Sequence, residues 1–158
     1  MDTTALRRAY DGLLDTAADP DLRPAGDGGW NADQVLAHVL SVDATVTAAA
    51  LGVVAGARPV FDNRVCLDPW NLDRIIAGHG GRRALIDAVR LQAGILCDVA
   101  DRLDDRSAAV LVPAFLMSDG ALLVDQPVPL GGLVEGLAQD HVPGHTRQLL
   151  GLRLPEPG

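Results

Sequence analysis

Apolar residues recur every three or four positions over much of the chain, the period that gathers side chains on one face of an α-helix. Leu6, Ala9, Tyr10, Leu13, Leu14 and Ala17 form one such stripe, with Asp2 or Thr3 placed to cap it, and it should stop near Asp19-Pro20. Pro, Gly and Asp crowd residues 21–29, which reads as a connector. Asn31 then caps a second long helix running to about Gly56, with Val35, Val39, Val42, Val46, Ala49 and Val53 on its apolar side. Residues 57–81 are less regular. Asp68-Pro69 followed by WNLDRIIAG combines a capping carboxylate with proline at the first helical position, so a short helix is expected inside a long crossover.

Gly80-Gly81 precedes a third long helix, marked by Leu85, Ile86, Val89, Ala93, Leu96, Val99, Ala100 and Leu103 and ended by Asp104-Asp105. AVLVPAFLM and ALLVDQPV, separated by Ser118-Asp119-Gly120, read as a β-hairpin in which Pro113 and Pro127 belong at edge or terminal positions. A last helix begins near Pro129 or Leu130 and carries Leu133, Val134, Leu137, His141, His145, Leu149 and Leu152 along one side. Pro143 lies between the two histidines and withdraws the hydrogen bond to the Gln139 carbonyl, so a kink or bulge is expected there. The pattern predicts one mainly α domain over residues 1–154, an up-down four-helix arrangement with a small hairpin between the third and fourth helices. Residues 155–158 form a tail that cannot continue a helix and should be mobile.

Length and composition agree with one domain and a proper core: 158 residues, nearly half apolar. The net charge is −8, every basic residue is arginine, and no basic stripe exists to neutralise phosphates, which argues against nucleic-acid binding. The start of the chain lacks a signal-like pattern, and the run AAALGVVAGA is too short to span a membrane, so a cytoplasmic protein is expected. Cys66 and Cys97 are singletons without metal or disulfide spacing, and Cys97 falls on an apolar helix face as core.

The candidate chemistry lies in three histidines. His141 and His145, one turn apart, sit in the middle of the last helix's apolar stripe; His38 lies about 60° from Val35, at the edge of the second helix's stripe. A buried imidazole needs a hydrogen-bond partner or a metal, and three protein ligands are what a catalytic zinc-type site takes. The rival reading is a metal-free bundle with three hydrogen-bonded core histidines. His79, in AGHGGRR, has no partner at ligand spacing and should face solvent. Trp30 and Trp70 each read as packing residues or as walls of a pocket mouth.

Two segments, GGWNADQVLAHV and LAQDHVPGHTRQLLGL, resemble the DinB-like four-helix metalloproteins, which include bacillithiol transferases and the N-terminal domain of mycothiol-dependent maleylpyruvate isomerases. The resemblance covers most of the chain. It implies that His38, His141 and His145 bind a divalent metal, zinc or nickel, and that the protein activates a low-molecular-weight thiol for S-transfer to an electrophile or for isomerisation. The arginine-only, GC-rich composition fits an actinobacterial-type host, for which mycothiol is the thiol. A non-catalytic metal- or small-molecule-binding module on the same fold is the alternative. Arg64 and Arg74, in the crossover, are candidates for holding the thiol cofactor or an acidic substrate, whereas Arg147 points away from the His145 face. Asp43, Asp62 and Asp140 are conceivable carboxylate partners for the histidines, Asp140 being poorly directed. Helix faces or the hairpin edge could support a homodimer, which nothing in the sequence fixes.

Overall fold

The computed structural model describes residues 1–26, 28–118 and 120–153, so the expected tail and Asp119 of the hairpin turn lie outside the described residues. The chain is mainly helical, with a small three-stranded sheet. Helix α1 spans Thr4–Ala17; the Asp2 carboxylate accepts from the Thr4 N–H, while Thr3 Oγ1 donates to Asp101 Oδ1 at 2.7 Å. Thr3 stands at the N-cap position without a side-chain capping bond; Asp2 serves one first-turn N–H from outside the helix, and Thr3 ties α1 to a neighbouring helix end.

Helix α2, Ala32–Val54, starts at a reciprocal capping box in which Asn31 and Gln34 each receive the other's backbone N–H at 3.0 Å. It holds much of the core: Val35, Leu36, Val39, Val42 and Val46 are all essentially buried. Counting only the run from Ala48 understates this helix, which is as a whole long and apolar enough to cross a membrane; half of that stretch is buried within the protein.

The crossover contains more structure than its sequence pattern predicts. A two-residue strand β1 (Phe61–Asp62) leads into a short helix α3 (Arg64–Leu67) and then α4 (Pro69–His79), where Asp68 caps through the Trp70 N–H. Gly80 closes α4 in the left-handed region (φ 74°) and Gly81 (φ 138°) opens α5, Arg82–Asp101, so the glycine pair serves two helix ends at once. Asp104 does not end α5; it caps the one-turn α6, Asp105–Ala108, by accepting from the Ser107 N–H at 2.7 Å.

Strands β2 (Leu111–Ser118) and β3 (Ala121–Pro129) form the expected hairpin, paired from Leu111↔Pro129 to Ser118↔Ala121, with Gly120 at φ 76° in the turn. Strand β1 pairs in parallel with β2, which puts β2 in the middle of the sheet and Pro113 in a central strand rather than at an edge. The ladder tolerates it because β1 pairing begins only at Ala114 and Pro113 faces Pro127, so both missing N–H groups fall at one register position.

The final helical stretch has three parts: α7 (Leu130–Gly136), a π turn (Leu137–His141) and α8 (Val142–Leu150). The bulge expected from Pro143 sits in the turn just before it. Without an N–H at Pro143 the Gln139 carbonyl loses its α-helical donor, and the backbone takes up one extra residue, with Val142 N–H reaching back five positions to the Leu137 carbonyl. Helix α2 packs chiefly along α5, and α1 along α8 and α5.

Candidate metal centre

Helix α2 and the last helix bring His38, His141 and His145 together. Their ring centroids lie 4.6 to 5.2 Å apart, and one ligand atom from each falls within 4.8 Å of the others, a group that could hold a metal ion. Three imidazoles seldom meet edge-on in a core without a shared role, because each brings polar nitrogens that the interior must satisfy.

Hydrogen bonds fix which nitrogens face inward. His38 Nδ1 lies 2.8 Å from the Cys66 carbonyl oxygen; a carbonyl only accepts, so Nδ1 carries the proton and Nε2 of the neutral ring presents a lone pair. His145 Nδ1 likewise donates to Gln148 Oε1 at 2.9 Å. His38 Nε2 stands 3.1 Å from His141 Nε2, close to the separation of about 3.3 Å expected for two nitrogens on one tetrahedral zinc-type ion. His141 Nδ1 is buried and has no hydrogen-bond partner.

Electrostatics favours the ligand form. Burial, then the nearby His145, holds His38 down to about 4, the Cys66 carbonyl acting weakly the other way. Burial and the two neighbouring histidines push His141 well below its ordinary value. Both rings are therefore neutral at physiological pH, the state in which imidazole binds a metal.

The partners come from residues that carry no periodic signal. Asn71 donates to the Val65 carbonyl at 3.0 Å and to Ser41 Oγ at 3.1 Å, which ties α3 to α2 and holds the Cys66 carbonyl over His38. Asn63, also buried, pairs with both the N–H and the carbonyl of Met117 and fastens the same segment to the sheet. None of the three carboxylates considered as partners for the histidines is hydrogen-bonded to one. Asp43 accepts from Tyr10 Oη, Asp62 binds Arg64, and Asp140 is exposed at the cavity edge.

A cavity of about 1380 Å³ opens over the histidines, walled by Val42 and Val46 of α2, by Leu116, Val124 and Val128 of the hairpin, and by the last helix. Trp30 belongs to this cavity rather than only to the helix start: its ring stacks 6.3 Å from His145 and tilts 4.8 Å from His38. Arg64 also lines it, although its Nε binds both Asp62 oxygens at 3.0 Å and its guanidinium rests 4.5 Å over Phe115. Arg74 does not reach the cavity; it donates to Asn71 Oδ1 and lies over the exposed Trp70 ring. His79 is half-buried in the last turn of α4, donating to the Ile75 carbonyl, rather than free in a loop, and Arg147 is exposed. Cys97 is core, as its face predicts. Compared with protein-family models, with curated proteins and with solved structures, the chain matches none.

Proposed function

We propose that this protein is a divalent-metal-dependent enzyme of the DinB-like four-helix kind, using His38, His141 and His145 to activate a low-molecular-weight thiol of the mycothiol type for S-transfer or isomerisation. The observation that carries the proposal is the fixed tautomer of His38: its proton is committed to the Cys66 carbonyl, so its remaining lone pair is aimed at the other two rings beneath an open cavity. The four long helical stretches, α1, α2, α5 and the α7–α8 unit, are consistent with that kind of fold.

With zinc or nickel held by three neutral imidazoles, the ion keeps its full charge and supplies Lewis acidity that draws the pKa of a thiol or water toward neutrality. The chain's own residues supply position and shelter. Gln148 and the Cys66 carbonyl orient two of the rings, and Trp30 screens the same two from bulk water. Elemental analysis of untagged protein tests the centre: about one ion per chain is expected from a single three-ligand site. Thiol consumption across a panel of electrophiles then tests turnover. A metal-bearing protein that never consumes thiol would turn the proposal into a non-catalytic binding module.

A further inference from the structure

The chamber above the histidines contains space that the metal centre does not require. Gly132 and Gly136, one turn apart on α7, both line it. Glycine disfavours a helix relative to alanine and is normally kept there for close packing. Gly131 has such a reason: a Cβ would come within 3.3 Å of the Ala108 carbonyl oxygen. Its two neighbours do not. A Cβ at Gly136 would meet nothing within 4 Å, and one at Gly132 only the Pro129 ring at 3.9 Å. The room they leave adds to a volume already above the roughly 300–1000 Å³ usual for small-molecule sites.

The lining limits what can fill that room. Val42, Val46, Leu116, Val124, Val128 and Leu133 present an apolar wall. Among the described lining residues the only guanidinium is Arg64's, already bound to Asp62, and Asp68 and Asp140 add negative charge at the rim. A carboxylate in the body of a ligand would thus be desolvated without a cation to meet it. At the floor the requirement is different: His38, His141 and His145 line the chamber there, so one end of the occupant meets polar groups.

We infer that the chamber binds an uncharged, largely apolar small molecule, an electrophile whose reactive end reaches the histidines while its body occupies the space beside Gly132 and Gly136. Calling it an electrophile rests on the thiol-transfer proposal; its size and neutrality rest on the chamber. For an activated alkene the reaction balances without a co-reactant. The thiol sulfur bonds to the β-carbon, the π pair moves to the α-carbon, and the thiol proton ends there.

The test titrates the full chain with N-phenylnaphthylamine, a neutral apolar dye, on a preparation whose metal content has been measured. Saturable binding is expected, with phenylbutanol displacing the dye at least about tenfold better than phenylbutyrate, as the cost of burying an unpaired carboxylate requires. Gly136→Leu fills the chamber from a relaxed helical position and should weaken the dye about tenfold. Val124→Trp, on the opposite wall, reads the same loss if the helix variant does not fold. Absence of saturable binding, equal competition by the carboxylate, or undiminished affinity in a folded wall variant overturns the inference. Metal-free protein that still binds the dye sinks the thiol-transfer proposal but not the chamber; metal-loaded protein that ignores the dye does the reverse.

Discussion

Two of the buried polar side chains of helix α2, His38 and Asp43, lie five residues apart and meet opposite circumstances. His38 looks toward the cavity; Asp43, fully buried and about 140° further round the helix, looks toward α1, where its Oδ1 accepts from Tyr10 Oη at 2.6 Å while Oδ2 has no partner. The same force acts on both. Burial drives His38 down to about 4 and Asp43 up to about 7, against the Tyr10 hydrogen bond, so each is pushed toward its neutral form. Tyr10 itself is pushed well above its ordinary value, first by burial and then by Asp43, which keeps it a donor. What separates the two sites is access. A polar group sealed against a tyrosine serves packing, whereas a neutral imidazole beneath open space is available to a ligand.

The largest expected effect breaks that distinction at its functional end. His141→Ala should take the metal content from about one ion per chain to nearly none, whereas Asp43→Asn should leave it unchanged; elemental analysis decides, and equal retention by both would remove the centre. Next comes the sealed site. A carboxyl whose pKa rises from 3.8 to about 7 on folding holds more protons folded than unfolded in that window. Stability is therefore lost as pH rises through it, on the order of 4 kcal/mol in all. Because the buried histidines titrate with the opposite sign over an overlapping window, the Asp43 contribution is read as the difference between chelated wild-type protein and Asp43→Asn in urea unfolding over a pH series.

The histidine side has the reverse sign. With His38 lowered from 6.5 to about 4, the folded state holds fewer protons between those values, so stability is present above pH 6.5 and lost as pH falls toward 4. The effect is on the order of 3 kcal/mol. The same titration on His38→Gln should flatten the acid limb; an unchanged limb would move its origin elsewhere. The smallest effect sharpens the comparison: Gln148→Leu, which removes the partner of His145 Nδ1, should weaken metal affinity roughly tenfold with no loss of helix content, measured by competition with a chelator.

The long helices were legible because their apolar positions recur with a clear period, and for the same reason the faces bearing His38 and the His141–His145 pair were legible too. Pro143 also foretold the bulge, since the missing N–H has a fixed consequence at Gln139. Strand β1 escaped because two residues carry no period. The groups that orient the rings escaped for different reasons: Cys66 acts through its backbone carbonyl, which no side chain advertises, and its placement depends on Asn63 and Asn71, polar residues in an irregular crossover. The carboxylates could not be placed from the sequence, because nothing in it reveals Tyr10, which claims Asp43 from another helix.

The π turn sets the phase between the two ends of this helix. It is one residue longer than an α-helical path between the same ends, so α7 and α8 are joined by a phase offset. Winding the same residues as a regular α-helix, without that turn, would rotate the face bearing Gly132 and Gly136 by about 100° relative to His141 and His145. The chamber wall and the histidine pair would then point in different directions, each intact in itself. The alignment of binding space with the metal-ligand pair therefore depends on a single-residue frame within the helix.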